Sequence, residues 1–228
     1  GYDNIDLEAA TKAGVVVMNT PGQNANAVAE LAIGLMIYMA RNQFNPSTGG
    51  EIAGKTLGIQ GFGNVGSLVA AKALALGMKV RAFDPVKSDE EMLVRGVEPT
   101  SSVKTLYADC DYISLNLPLV TVTERSVGYD LLSAMPKGGV LINTARKEIV
   151  DESGLERALE ERSDIKYASD VAPDNYAALR EKFGLRVYAN SKKMGAQTAE
   201  ANLNAGLAAA RQIVDYFETG NVKFQVNK

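Results

Sequence analysis

Three glycines and a later aspartate form the most chemically specific pattern in this sequence of 228 residues. Gly61, Gly63 and Gly66 have the spacing G-x-G-x-x-G, between an apolar run at 56–60 and a helical pattern at 65–76. In that context the first glycine permits a tight turn. The second lets backbone N–H groups approach a pyrophosphate at the positive end of the helix, and the third lets helix and strand pack closely. The pattern predicts a dinucleotide site.

Asp84 indicates which dinucleotide. It lies 23 positions after Gly61 and ends the next predicted strand, 79–83. A carboxylate there accepts hydrogen bonds from the adenosine ribose and repels a 2′-phosphate, so we predict NAD rather than NADP. The alternative is that the glycines are chance turns and Asp84 a helix cap. The strand, the helix and the acidic residue together count against it.

Two charged residues follow later predicted strands. Arg146 comes just after 139–143, and Asp170 ends the strand that begins at Ile165. Ligands of open α/β sheets bind outside the carboxyl ends of the strands. A guanidinium there can hold a substrate carboxylate with two hydrogen bonds and polarise an adjacent carbonyl, and Asp170 is placed to bind a nicotinamide carboxamide. The alternatives are a solvated surface arginine and a turn-forming aspartate.

The composition excludes several other kinds of chemistry. Without histidine the chain has no Ser-His-Asp triad, no His-ligated metal site and no imidazole acid/base, and we predict no metal. Its single cysteine, Cys110, cannot form an internal disulfide, which favours a reducing, cytoplasmic location. The net charge of −3 with dispersed Lys and Arg predicts no nucleic-acid partner. The longest apolar stretch, 27–40, is too short to span a bilayer, so we predict no membrane partner.

Short apolar strands alternate with helices through most of the chain. The predicted strands are 56–60, 79–83, 111–117, 139–143 and 165–170, and the predicted helices among them are 65–76, 103–108 and 155–161. Such alternation is typical of a parallel sheet covered on both faces. We therefore predict an α/β protein with a doubly wound parallel sheet of the Rossmann type.

The flanking segments have a different pattern. We predict a short helix at 7–13, a buried strand at 15–18, a long helix from Asn24 or Asn26 to about Ala40, a linker at 45–50, a second long helix at 198–218 that stops at Gly220, and a strand-like tail at 222–226.

An ordered set of motifs extends this interpretation. The runs G-F-G-N-V-G, F-D-P, L-N-L-P-L, N-T-A-R-K-E-I-V-D-E, S-D-V-A-P and K-M-G-A-Q-T resemble the D-isomer-specific 2-hydroxyacid dehydrogenases. The resemblance implies an NAD-dependent enzyme that transfers hydride between the nicotinamide and C2 of a small 2-hydroxy acid. It is strongest to the branch of that family that oxidises 3-phosphoglycerate for serine biosynthesis. The alternatives are a reductase of glyoxylate or hydroxypyruvate, and a non-catalytic corepressor that senses the dinucleotide.

The same resemblance implies roles for individual residues. Arg146 falls on the catalytic arginine of the family. The implied cofactor contacts are Gly61, Gly63, Asn64, Val65 and Gly66 at the pyrophosphate, Asp84 at the ribose, Leu117 and Pro118 on the adenosine side, Thr144, Ala145 and Asp170 at the nicotinamide, and Gly195 with Ala196.

The family's acid/base is a histidine held by a glutamate, and this sequence departs from that pattern at both places. Lys193 stands at the histidine position and Asn175 at the glutamate position, as in a short subgroup of the 3-phosphoglycerate branch. We predict Lys193 as the acid/base. A free lysine has a pKa of about 10.4 and must be neutral to act as a base, which a positive neighbour such as Arg146 favours. Asp174 stays open as a displaced partner of Lys193.

The resemblance also divides the chain. It implies that 1–42 comprise the end of a flavodoxin-like substrate domain and an interdomain and dimer helix, that 43–197 form the NAD-binding domain, and that 198–228 return to the substrate domain. We therefore expect only remnants of that second domain, and a homodimer.

Overall fold

The computed structural model describes Tyr2 and residues 4–227. It contains two compact units: a central unit, Val28–Gly195, and a terminal unit of Gly1–Ala27 together with Ala196–Lys228. Gly1, Asp3 and Lys228, which the predicted segments 1–42 and 198–228 include, lie outside the described residues. The segment borders inferred from the sequence remain a prediction.

A parallel sheet organises the central unit. Within the described residues its seven strands are β1 (Thr56–Gln60), β2 (Lys79–Phe83), β3 (Glu98–Pro99), β4 (Tyr112–Leu115), β5 (Val140–Asn143), β6 (Lys166–Ser169) and β7 (Val187–Ala189). Their order is β3-β2-β1-β4-β5-β6-β7, and every neighbouring pair is parallel. The predicted Rossmann-type sheet is confirmed.

Helices connect and flank these strands. They are α1 (Leu7–Lys12), α2 (Ala25–Ala40), α3 (Asn64–Ala75), α4 (Asp89–Leu93), α5 (Val103–Asp109), α6 (Tyr129–Ser133), α7 (Glu152–Glu161), α8 (Tyr176–Phe183) and α9 (Ala199–Thr219). No helix in the described part of the chain is both long enough and apolar enough to cross a membrane.

The sheet is covered on both faces, as a doubly wound fold requires. Successive strand residues point to opposite faces, and β5 shows the consequence. Ile142 packs in a core with Met36 and Val69, whereas Leu141 packs in a second core with Leu155. Because both faces are buried, all four residues of β5 are buried and its sequence V-L-I-N does not alternate.

The terminal unit corrects two predictions. The runs 15–18 and 222–226 are not regular strands, and Val15 is 54% exposed. They meet at one antiparallel bridge between Met18 and Gln225. The buried side chain of Asn227 supplies further bonds, accepting from Val17 N at 2.8 Å and donating to Val15 O at 2.7 Å. A side-chain amide therefore replaces part of the ladder that β-branched residues alone suggested.

The long helix of the terminal unit begins and ends as predicted. The side chain of Thr198 accepts a hydrogen bond from Ala201 N at the first turn of α9. Gly220 follows the last residue with a left-handed φ of 73°. Glycine adopts this conformation readily, so it commonly ends helices.

Candidate functional site

The glycine-rich turn between β1 and α3 depends on two close approaches. Gly61 has a φ of 93°, and a Cβ atom there would lie 2.7 Å from Asn116 O. A Cβ atom on Gly66 would lie 2.0 Å from Gly61 O. Both distances are shorter than any van der Waals contact with backbone, so larger residues would force the turn and α3 apart.

Gly63 lies in a different environment. It is exposed, its φ is −82°, and a Cβ atom there would meet nothing within 4 Å. It precedes Asn64 and Val65, the first residues of α3, whose first turn carries no acidic residue. The free backbone N–H groups and positive end of this helix therefore face an open surface that suits a phosphate.

Asp84 is hydrogen-bonded to the glycine-rich turn. Its carboxylate accepts hydrogen bonds from Phe62 N at 2.7 Å and from Val86 N at 2.9 Å. A carboxylate has further lone pairs on both oxygens, so these bonds leave capacity for ribose hydroxyls. The structure thus brings the predicted ribose ligand next to the predicted pyrophosphate site.

A cavity of about 710 Å³ opens beside Asp84. Gln60, Phe83, Pro85 and Leu117 contribute to its wall at the carboxyl ends of β1, β2 and β4. Its largely apolar wall suits a flat heterocycle such as adenine. Gln60 is a polar member of this wall that sequence reasoning missed, and its Oε1 accepts a hydrogen bond from the buried Tyr107 hydroxyl at 2.9 Å. Pro118, also predicted on this side, is exposed.

The turn after β5 carries the predicted arginine. Asn143 is buried and holds this turn at two points: its Oδ1 accepts from Ala145 N at 3.0 Å and its Nδ2 donates to Arg146 O at 2.9 Å. Thr144 is buried as well, and its Oγ1 has no hydrogen-bond partner among the described residues. Because a buried hydroxyl without a partner is costly, this atom is available to a ligand.

Arg146 and Lys193 meet at one atom. Arg146 Nη1 donates to Ala145 O at 3.1 Å, and Lys193 Nζ donates to the same oxygen at 2.7 Å. The turn after β5 and the loop after β7 thus bring together the two residues that the sequence nominates for catalysis. A guanidinium and an amine side by side can bind a carboxylate and exchange a proton with a neighbouring hydroxyl.

Asp170 has an unexpected set of partners. It is 1% exposed, and its oxygens accept from Met194 N at 2.9 Å, Gly195 N at 3.0 Å and Asn190 Nδ2 at 3.2 Å. The carboxylate predicted to contact nicotinamide therefore already binds the loop that carries Lys193. Ala196, also a predicted cofactor contact, belongs to the terminal unit.

Asp174 bonds to a residue other than the predicted Lys193. Its exposed carboxylate pairs with Lys147, and this hydrogen bond raises the pKa of Lys147. The backbone N–H groups of Asp174 and Asn175 both donate to the Glu152 carboxylate.

Cys110 is unsuited to covalent chemistry. It is fully buried, and burial raises the pKa of its thiol to about 12, so the reactive thiolate is absent at neutral pH. Within the described residues, no group of three or more His, Cys, Asp or Glu side chains could hold a metal ion.

Comparison with known proteins adds a family to this geometry. The family model described as "D-isomer specific 2-hydroxyacid dehydrogenase, NAD binding domain" matches residues 35–187. The chain is similar to the hydroxypyruvate reductase of Thermotoga maritima, with 36% identity over 231 aligned positions covering 93% of this chain and 74% of that protein. It is 35% identical to the D-3-phosphoglycerate dehydrogenase of Methanocaldococcus jannaschii over 93% of this chain, but spans only 43% of that protein.

A solved structure is similar along the whole chain. The NAD⁺-bound 3-phosphoglycerate dehydrogenase of Entamoeba histolytica superposes with a TM-score of 0.93 at 48% identity. The match covers 100% of this chain and 73% of that one.

Proposed function

The chain belongs to the NAD-dependent D-isomer specific 2-hydroxyacid dehydrogenases, and from this premise we propose that it oxidises D-3-phosphoglycerate to 3-phosphohydroxypyruvate. The observation that carries the proposal is the convergence of Arg146 and Lys193 on Ala145 O. The substrate is supported by the 3-phosphoglycerate dehydrogenases among its relatives, including the NAD⁺-bound structure at 48% identity.

The residues of the central unit fit the cofactor. The turn Gly61–Gly66 and the start of α3 would hold the pyrophosphate, Asp84 the ribose, and the cavity beside Leu117 the adenine. The unpartnered Oγ1 of Thr144 offers a hydrogen bond on the nicotinamide side. When bound, NAD supplies the hydride acceptor.

Lys193 and Arg146 have different roles in the reaction. In oxidation, the neutral amine of Lys193 takes the proton of the substrate's C2 hydroxyl as C2 gives up its hydride, and C2 becomes a carbonyl carbon. Arg146 holds the substrate carboxylate with paired hydrogen bonds. Its guanidinium and the amine of Lys193 lie on the same carbonyl oxygen, which brings the carboxylate-binding group and the acid/base together. In reduction the ammonium returns the proton.

A second candidate function has its own support. The relative from Thermotoga maritima is named a hydroxypyruvate reductase, and this chain spans 74% of it. Reduction of unphosphorylated hydroxypyruvate would use the same two side chains in the reverse direction, so the two candidates differ only in substrate.

A substrate panel tests both. We expect the purified chain to form NADH from D-3-phosphoglycerate. Its kcat/KM for D-3-phosphoglycerate and 3-phosphohydroxypyruvate should be higher than its kcat/KM for D-glycerate, hydroxypyruvate or glyoxylate. L-lactate serves as the control of opposite configuration. A higher kcat/KM for hydroxypyruvate would favour the second candidate. Tight NADH binding without turnover of any substrate would instead support a nucleotide-sensing protein and contradict both.

The homodimer and the cytoplasmic location also remain proposals. Both follow from the family and from the cysteine content rather than from any contact in this structure. Sedimentation velocity at micromolar concentration tests the first, with a single species of monomer mass as the result against it.

A further inference from the structure

Gln60 lies at the strand ends next to the proposed adenosine site. It precedes Gly61, the first glycine of the turn, and it pairs in register with Phe83, which precedes Asp84. Residues that pair in register on neighbouring strands share one face of a sheet. Gln60 and Phe83 therefore lie side by side, and both line the cavity of about 710 Å³.

A buried tyrosine fixes one end of the Gln60 side chain. Tyr107, in α5, is fully buried, and its hydroxyl donates to Gln60 Oε1. Burial raises the pKa of the Tyr107 phenol, so the hydroxyl keeps its proton and stays a donor. In the described part of the chain this hydroxyl has no other acceptor. If the amide were turned round, a buried O–H group would lack an acceptor, which is costly, so Oε1 faces Tyr107.

The other end of the amide is left to the cavity. Gln60 is only 5% exposed, and its Nε2 donates to no acceptor among the described residues. Nε2 is nevertheless not a fully enclosed atom without a partner, in contrast to Thr144 Oγ1 and Asn116 Oδ1. The small exposed part of this side chain therefore includes the NH₂ group, which gives the cavity wall a hydrogen-bond donor.

An adenine ring has the acceptors that this NH₂ group lacks. Its ring nitrogens, such as N3 and N7, accept hydrogen bonds. The wall around Gln60 is otherwise apolar, with Phe83, Pro85 and Leu117, and offers contact area to the faces of a flat ring. In an apolar pocket a few placed polar groups fix the orientation of the ligand. Gln60 is such a group at this end of the cavity.

We propose that Gln60 recognises the base of the cofactor: its Nε2 donates a hydrogen bond to a ring nitrogen of adenine, and Tyr107 orients the amide by occupying Oε1. The inference rests on the proposed placement of adenine in this cavity and deepens it. Gln60 acts on cofactor affinity and takes no part in proton or hydride transfer. A change at Gln60 should therefore weaken every ligand that contains adenine and spare ligands that do not.

Paired substitutions test this in the full chain. Gln60→Met alone would leave the buried Tyr107 hydroxyl without an acceptor. The decisive variant is therefore Tyr107→Phe/Gln60→Met, which replaces both partners with apolar groups of similar shape. Tyr107→Phe alone is its background, because it keeps the NH₂ group but frees the amide to turn. Gln23→Met, at an exposed glutamine of the terminal unit, is the control.

The measurements are calorimetric Kd values for AMP, NADH and NMNH, the last of which carries reduced nicotinamide but no adenine. We expect the double variant to bind AMP and NADH about tenfold more weakly than wild type, for one lost hydrogen bond, and NMNH equally well. Tyr107→Phe should lose only about twofold for AMP, because a free amide presents its NH₂ group about half of the time. Gln23→Met should match wild type for all of these ligands.

Two results would overturn the inference. One is a double variant that binds AMP as tightly as Tyr107→Phe does, because Nε2 would then contribute nothing. The other is an equal loss of affinity for AMP and NMNH, which would show a general disturbance of the site rather than a lost contact with the base.

Hydrogen–deuterium exchange separates this inference from the proposed cofactor placement. AMP should slow exchange in the segment 117–123, which includes the cavity residues Leu117, Val122 and Thr123. If AMP protects no amide there in wild type, adenine does not bind in this cavity and the placement itself fails. If AMP protects the segment but the double variant binds AMP like its background, only the inference about Gln60 fails. Neither result depends on which hydroxy acid the chain turns over.

Discussion

Arg146 and Lys193 donate hydrogen bonds to the same acceptor, Ala145 O, at 3.1 and 2.7 Å. They lie on different loops, one after β5 and one after β7. Because β5, β6 and β7 are parallel and adjacent, both loops leave the sheet at the same edge. The topology, rather than any local motif, therefore brings the two cationic groups together.

Replacing Lys193 by methionine should abolish turnover. Methionine keeps a long apolar side chain but can neither take nor return a proton, and general acid–base catalysis contributes about 10²–10⁴-fold to rate. NADH affinity should not change, because the amine exchanges its proton with the substrate. Steady-state assays and NADH fluorescence titration measure the two quantities. Lys192→Met, at the exposed neighbouring lysine, is the matched control. Normal turnover by Lys193→Met would exclude it as the acid/base.

Alanine at Gly66 should lower the stability of the fold, whereas alanine at Gly63 should weaken NADH binding. At Gly66 the added methyl group would lie 2.0 Å from Gly61 O, so we expect lower stability, by about 1–3 kcal/mol. At Gly63 it meets no protein atom within 4 Å, so stability should stay within about 0.5 kcal/mol of wild type. The same methyl group lies where a pyrophosphate should approach, so the Kd for NADH should rise about tenfold.

Urea unfolding and NADH titration of the two variants provide this comparison. If Gly63→Ala binds NADH as tightly as wild type, the phosphate does not approach the backbone at Gly63. If Gly66→Ala is as stable as wild type, α3 can shift away from the turn at no cost.

The sheet was largely predictable from the sequence because its strands are short buried apolar runs between helical patterns. The structure confirms β1 and β2 at the predicted residues, and α2 and α9 nearly so. The strands that were missed are short, β3 with two residues and β7 with three. Such elements carry too few residues to show a period, and neighbouring strands determine them.

Individual site residues were predictable only where glycine spacing or a strand end marked them. Asn143 also ends a predicted strand, but its role was missed because an asparagine at such a place is common in turns and its amide contacts exist only in the folded turn. Asp170 was placed at the correct edge of the sheet, but its bonds to Met194 and Gly195 join residues over 20 positions away. Long-range contacts of this kind leave no local pattern.

Neutralising Asp84 should weaken the discrimination against NADPH. Asp84→Asn keeps an oxygen for Phe62 N but removes the charge that faces a 2′-phosphate. Two charges about 4 Å apart interact by about 1 kcal/mol even in water, so we expect the ratio of the two dissociation constants to shift roughly fivefold toward NADPH. Titrations with both nucleotides measure this ratio. Glu181→Gln removes an equal charge from an exposed residue of α8, which does not line the cavity, and should not alter the ratio. A constant ratio in Asp84→Asn would mean that another group selects the cofactor.

Asp164 should make the free energy of unfolding depend on pH in the acid range. Arg162 bonds both oxygens of its carboxylate, and Gly138 N donates to Oδ2 at 2.7 Å. These bonds hold the pKa of Asp164 well below its usual range, with the Arg162 hydrogen bond as the main cause. A carboxyl group with a lowered pKa stabilises the fold above its unfolded pKa of about 3.9, and this contribution is lost as pH falls toward the folded value.

Asp164→Asn should therefore lower the free energy of unfolding by about 1–3 kcal/mol at pH 7, the cost of losing charged hydrogen bonds. The difference from wild type should narrow as pH falls below about 4, because the carboxyl group of Asp164 then takes up a proton in the unfolded wild type but not in the folded one, which lowers the stability of wild type. Urea unfolding at pH 7 and at pH 3 measures it. Asp174→Asn is the matched control: its pair with Lys147 is exposed, so its stability should stay near that of wild type at both pH values. If the loss in free energy of unfolding caused by Asp164→Asn is as large at pH 3 as at pH 7, the charge of the Asp164 carboxylate does not stabilise the fold.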